Sequence, residues 1–241
     1  MAGGFRMFLV VAVVGLAGAA YADQPTLPPS QNCLLPESLV KHILSKAADP
    51  NVISGNGGIL NPNQMWAAVV DRNGIVCGIT KNSGDAWPGS RAIAIAKAET
   101  ANDFSNNTHS ISTANLYAPT QPGGSLYGLN NSNPYNPLFN APANDLSTGV
   151  GFVDGGIITF GGGLALYRNG KIIGGLGVSG DTSCADHAFA WKMRRAAGLD
   201  SIPASNFGLN GTDNIIYAPA GQAPTGFEQP HCLGTSDVTP Q

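Results

Sequence analysis

The glycine-rich stretch 155–198, GGIITFGGGLALYRNGKIIGGLGVSGDTSCADHAFAWKMRRAAG, constrains the fold more than any other part of the chain. Residues 164–168 and 171–179 are β-prone runs separated by Asn169 and Gly170. That pair accepts positive φ at both central positions of a type I′ turn, so the spacing predicts a tight antiparallel hairpin. A two-residue turn sets Tyr167 opposite Ile172, Leu166 opposite Ile173, Ala165 opposite Gly174 and Leu164 opposite Gly175. The glycines mark places where a helix, another subunit or a ligand comes close to the sheet.

A helix follows with readable ends. Ser183 and Asp186 fit a capping box, Gly198 supplies the C′ position, and Lys192, Arg194 and Arg195 suit the negative end of the dipole. Ala185, Ala188, Phe189, Met193 and Ala196 form a stripe for the sheet. His187, Trp191, Arg194 and Arg195 share the other side, which reads as a solvated surface or an oligomer contact.

A second hairpin is predicted upstream, from residues 65–71 and 75–80 around Asn73-Gly74. Arg72-Asn73-Gly74 followed by Gly78 matches Arg168-Asn169-Gly170 followed by Gly174, and each hairpin precedes a helix. The first of these helices spans about residues 90–104, and its alanines allow close packing on a sheet. Another helix is expected over residues 36–48, with Leu39, Val40, Ile43, Leu44 and Ala47 on its apolar face.

The ends of the chain place it in a compartment. Arg6, the apolar run 7–20 and Ala20-Tyr21-Ala22 read as a secretory signal over residues 1–22. The apolar run is shorter than the roughly 20 residues of a membrane span, so no membrane span is expected after signal removal. Cleavage removes Arg6 and shifts the net charge from −3 to −4, with no basic stripe to neutralise phosphates, which argues against nucleic-acid binding. Cys33, Cys77, Cys184 and Cys232 all lie in the exported part. An even count in an oxidising compartment favours two disulfides among three connectivities. Cys33 with Cys77 and Cys184 with Cys232 is preferred, because each bridge then ties an irregular terminal segment to a regular element.

Residues 105–149 differ in composition, with nine asparagines, five prolines and no Lys or Arg. Aromatics interleaved with turn residues point to an ordered excursion laid over a functional mouth or a subunit interface. The resulting division is a signal (1–22), an irregular leader (23–35), a domain (36–198) carrying the 105–149 insertion, and an irregular tail (199–241).

Within that domain, Ala67-Ala68-Val69-Val70-Asp71 with Gly74, the helix segment 92–101, Gly162-Gly163-Leu164 through Gly170, and Ile173 through Gly180 resemble, in order, the haem-degrading GlcG/HbpS-like family. The resemblance implies an α+β, profilin-like three-layer domain, with a central antiparallel sheet flanked by helices and assembly into homo-oligomers. It also implies haem or a related tetrapyrrole as ligand. The chain departs from the family at Ala165, where proline is common, at His187, where an acidic residue is common, and in its insertion and cysteines.

Other chemistries find less support. Gly175-x-Gly177-x-x-Gly180 spells a dinucleotide fingerprint, but its strand belongs to a tight hairpin instead of opening a βαβ unit. Cys184, His187, His231 and Cys232 make a zinc set only if adjacent ligands converge and no disulfide forms. Ser179 is not in G-x-S-x-G, and no catalytic acid, base or nucleophile is identified. A noncovalent haem site needs an apolar slot, cations or hydroxyls for the propionates, and an axial ligand. Lys97 and Thr100, three apart on one helix, with Phe104 as an aromatic wall and His109 as a ligand, are the candidates. The plainer reading solvates Lys97, uses Thr100 in packing and leaves His109 on a loop, with His42 a surface residue.

The leading expectation is therefore a periplasmic or secreted haem- or tetrapyrrole-binding protein, assisting haem breakdown in some relatives' manner. The alternatives are a noncatalytic oligomeric module that makes protein contacts through residues 105–149, and an enzyme acting on another small organic substrate.

Overall fold

The computed structural model describes Met1 and residues 30–60, 64–82, 86–140, 145–204 and 211–233. The signal sequence and most of the leader, expected over residues 1–22 and 23–35, lie largely outside the described residues. Among the described residues no helix is long and apolar enough to cross a membrane.

The chain runs through α1 (Glu37–Ser45), a short 3-10 turn, α2 (Pro50–Ile53), β1 (Trp66–Asp71), β2 (Val76–Lys81) and α3 (Pro88–Asp103). It continues through α4 (Tyr117–Thr120), α5 (Pro137–Asn140), β3 (Gly163–Arg168), β4 (Lys171–Ser179) and α6 (Ser183–Ala196). The four strands form one antiparallel sheet in the order β2-β1-β4-β3, so the two Asn-Gly hairpins meet along β1 and β4. Helices α1 and α6 cover one face through Ala67, Val69, Leu164, Leu166, Leu176 and Val178, packed with Val40, Ile43, Phe189 and Met193. Helix α3 covers the other, where Trp66, Ala68 and Val70 meet Ala94, Ile95 and Ala98. This is the expected three-layer α+β arrangement.

The β3–β4 pairing shifts by one residue from the simple hairpin register. Tyr167 faces Ile172 as expected, but Leu166 faces Gly174, Ala165 faces Gly175 and Leu164 faces Leu176, because Ile173 is the extra residue of a β-bulge. The shift has a packing reason. It gathers Leu164, Leu166, Leu176 and Val178 on the α1/α6 face and leaves Gly163, Gly175 and Gly177 facing α3. In the β1–β2 hairpin Val69 pairs with Gly78 and Val70 with Val76, so Cys77 is bulged at the equivalent position. The two turns differ: Asn169 and Gly170 both take positive φ, whereas in the first hairpin Gly74 does and the Asp71 carboxylate accepts from the Asn73 and Ile75 amides.

Helix α6 begins one residue earlier than its sequence suggests. Thr182 is the N-cap and its hydroxyl accepts from the Ala185 amide, which frees Asp186 for a contact described below. Gly198 takes positive φ just past the helix, as expected for C′.

Both preferred disulfides are present: Cys33–Cys77 joins the leader to β2, and Cys184–Cys232 joins the tail to α6. On the side of α6 read as solvated surface or oligomer contact, the tail covers His187 and Arg194, while Trp191 stays partly exposed and Arg195 solvent-exposed. Arg194 makes a bidentate ion pair with Asp213, at 2.5 and 2.7 Å, and the buried His187 accepts from the Ile215 amide through Nε2. Burial holds the His187 imidazole neutral, pushing its pKa down to about 3.

A methyl group at Gly177 would overlap the Ala94 carbonyl of α3, whereas one at Gly89, at the start of the same helix, would meet nothing within 4 Å. Gly177→Ala is expected to lower stability by about 3 kcal/mol through overpacking, and Gly89→Ala to stay within about 0.5 kcal/mol of wild type. Urea unfolding of the two variants checks the close approach of α3. Equal midpoints for the two would refute it.

Candidate functional site

The four residues singled out for a ligand all belong to α3 or the loop after it, and the structure treats them differently. Lys97 has no exposed surface: its Nζ donates to Asp186 Oδ2 at 2.7 Å and to the Val178 carbonyl at 3.1 Å, and sits 4.8 Å from the Phe160 ring centre. Burial pushes the Lys97 ammonium down and the Asp186 carboxyl up to about 6, and the contact between them opposes both shifts. Thr100 is also fully buried, donating to the Ala96 carbonyl and accepting from the Ile158 amide. Phe104 closes the helix, partly exposed, and His109 lies on the following loop with Nδ1 3.0 Å from the Thr108 hydroxyl. Lys97 and Thr100 are therefore committed inside the protein, and only Phe104 and His109 reach the surface.

Phe160 and Asp186 close over Lys97 and Ile158 over Thr100, and further segments are laid across the rest of α3. The Arg91 guanidinium donates to the carbonyls of Phe139, Asp145 and Thr148, which pins the far end of the 105–149 insertion. Glu99 Oε1 accepts from the Asp154 and Gly155 amides, and Asn140 donates to Asp154 at 2.7 Å. The described residues of the insertion thus form a cover, with Phe139 stacked on Phe152 at 4.5 Å. Burial raises Glu99 to about 8; its two amide contacts oppose this and the charges of Asp103 and Asp154 add to it. Asp154 is likewise raised to about 6 by burial, against Arg91 and Asn140.

The metal and thiol readings meet the disulfides. Cys33, Asp71 and Cys77 place three potential ligand atoms within 4.8 Å of one another, but the two sulfurs form a bridge and Asp71 accepts from the amides of Leu34, Asn73 and Ile75. In the set Cys184, His187, His231 and Cys232, the sulfurs are bridged, His187 holds the Ile215 amide, and His231 Nε2 contacts the Ala218 carbonyl at 2.7 Å.

An open site lies on the opposite face, between α1 and the edge strand β2. A groove of about 620 Å³ is walled by Leu35, Val40 and Leu44 on one side and Gly78, Ile79 and Leu146 on the other. Its volume falls within the roughly 300–1,000 Å³ of small-molecule sites. Gly78 matters because a Cβ there would press on Leu44 and Val40, so the helix settles directly against the strand. The Cys33–Cys77 bridge forms part of the wall and holds the leader in place. Lys41 stands at the rim, paired with Glu37 at 2.5 Å, both strongly exposed. Lys41, Leu44 and Ile79 also line an adjoining cavity of about 260 Å³ that reaches Lys81. Apolar walls with the Lys41–Glu37 ion pair at the edge suit a flat amphipathic ligand.

Helical periodicity identified the apolar face of α1, and the structure buries Val40 in the core with Leu44 packed against it at the groove. The available signal was Lys41 beside that apolar stripe together with Gly78 on an edge strand.

Comparison with known proteins adds a family. The HbpS-like haem degrading protein family matches residues 60–194. An uncharacterised 15.0 kDa protein of Citrobacter freundii, encoded between dhaT and dhaS, is 35% identical over 123 residues, covering 51% of this chain and 68% of its own. The corrinoid adenosyltransferase PduO of the same organism is 34% identical over 113 residues, covering 47% of this chain but only 26% of the transferase. Among solved structures, a PduOC:heme complex superposes with a TM-score of 0.51 at 24% identity, over 70% of this chain and 98% of that one. At that identity the superposition supports the fold. Helix α1, one wall of the groove, precedes the family-matched span.

Three substitutions probe the buried charges. Lys97→Met is expected to cost about 3–5 kcal/mol by leaving Asp186 unpaired, and adding Asp186→Asn is expected to recover part of that loss in a double-mutant cycle. Glu99 binds a proton in the native state over the pH range in which the unfolded chain has released it, so its contribution to stability falls as pH rises from about 4.5 to about 8. Glu99→Gln removes that dependence. Its unfolding midpoint is expected to match wild type near the bottom of this range and to exceed it at the top.

Proposed function

Because the chain belongs to the HbpS-like haem degrading protein family, we propose that it is an exported tetrapyrrole-binding protein with its ligand in the α1–β2 groove. One observation carries the location: the groove combines apolar walls with the Lys41 cation in an open space of about 620 Å³, while Lys97 and Thr100 are shut inside the protein. The haem of the PduOC complex supports the ligand class as an analogy between folds. Two disulfides support a periplasmic or secreted location, where such bridges persist.

Tested against haem, the residues suit the macrocycle and its carboxylates. Leu35, Val40, Leu44 and Leu146 would pack on the ring faces, and Lys41 would take a propionate. The Glu37–Lys41 pair is solvent-exposed and therefore weak, so Lys41 can turn to a ligand carboxylate. Haem itself would supply the redox chemistry of any breakdown; the chain's part is to bind, orient and exclude water.

A second reading, a noncatalytic oligomeric module, draws on the exposed Tyr127 and Leu138 of the insertion. A haemin titration of the oxidised protein separates the two. A shifted Soret band is expected for wild type, with binding weakened at least about tenfold in Leu44→Trp, which fills the groove. An unmoved Soret band in wild type would instead favour the module.

A further inference from the structure

The groove has the walls and the cation of a tetrapyrrole site but not the donor that would hold an iron. Proteins hold haem iron through His, Met, Tyr or a Cys thiolate. Among the described residues, none that lines the groove is a His, Met or Tyr, and its two sulfurs, Cys33 and Cys77, are spent in a disulfide.

The four histidines of the chain stand elsewhere. His42 follows Lys41, but a step of about 100° around the helix turns it away from the face carrying Glu37, Val40, Lys41 and Leu44, and it is solvent-exposed. His109 is on the loop after α3 beside Thr108. His187 is buried under the tail with Nε2 on the Ile215 amide. His231 stacks on Tyr217 at 5.2 Å and contacts the Ala218 carbonyl. What remains for recognition is the apolar ring and the carboxylate edge, which are the same with and without a metal.

We propose, building on the tetrapyrrole reading above, that the α1–β2 groove recognises the macrocycle and its carboxylates and is indifferent to the central metal, so that iron-free dicarboxylic porphyrins are ligands equal to haem. Binding then follows buried apolar area and the contact with Lys41.

The test uses the full mature chain with both disulfides intact and three probes: haemin, protoporphyrin IX and protoporphyrin IX dimethyl ester. Dissociation constants come from absorbance for haemin and from fluorescence anisotropy for the porphyrins, and the spin state of bound haemin from its electron paramagnetic resonance spectrum. The expected result is haemin and protoporphyrin IX within about threefold of each other, and bound haemin high-spin. Leu44→Trp is expected to weaken both ligands by the same factor. Lys41→Gln is expected to weaken the diacids several-fold and leave the dimethyl ester unchanged. Haemin binding more than about thirtyfold tighter than protoporphyrin IX, or a low-spin iron with protein ligands, would overturn the inference while leaving haem binding intact. If neither haemin nor protoporphyrin IX binds, the tetrapyrrole reading itself is wrong, and this inference falls with it.

Discussion

The fold depends on how closely α3 approaches the sheet. Gly163, Gly175 and Gly177 face that helix, and a side chain at any of them would strike the Lys97, Ala98 or Ala94 carbonyl. Ala94 and Ala98 keep the helix side equally thin. A helix seated so low buries even its polar residues once anything is laid across it, and here the insertion and residues 150–162 are laid across it. The buried state of Lys97, Glu99 and Thr100 follows from that geometry.

Charges inside the protein are tolerated because each has a directed partner. Lys97 meets Asp186, Arg194 meets Asp213, and Arg91 spends its donors on three backbone carbonyls of the insertion. Such pairs do little for net stability against an apolar replacement, but removing one partner is costly. They fix where the long irregular segments lie. The disulfides act on the same segments, with Cys33–Cys77 anchoring the leader and Cys184–Cys232 the tail. The anchored leader is also what closes one end of the α1–β2 groove, so the bridge that orders the amino-terminal part helps shape the candidate site.

Much of this was legible from local patterns. Two Asn-Gly turns between β-prone runs located both hairpins, helical periodicity located α1, α3 and α6, and the even cysteine count with its placement led to the correct bridges. The register of β3–β4 was missed by one residue because a bulge is a response to packing on both faces of the sheet, and turn chemistry sees neither. The environment of His187 and Arg194 was missed because the residues that cover them, Ile215 and Asp213, are about twenty to thirty positions away in an irregular segment without periodicity.

The candidate site divides in the same way. The sequence by itself determined the hairpins, the helices, the glycine face awaiting a close neighbour, and a family whose relatives concern haem and corrinoid chemistry, because these are written in spacings of a few residues. Only the tertiary structure decided that Lys97 turns inward to Asp186 while Lys41 stands over an open apolar groove. Both are lysines on helices with apolar neighbours. Their fates differ because Phe160, Val178 and Asp186 close around one lysine, whereas α1 meets an edge strand with space left beside it, and long-range packing of this kind leaves no local mark.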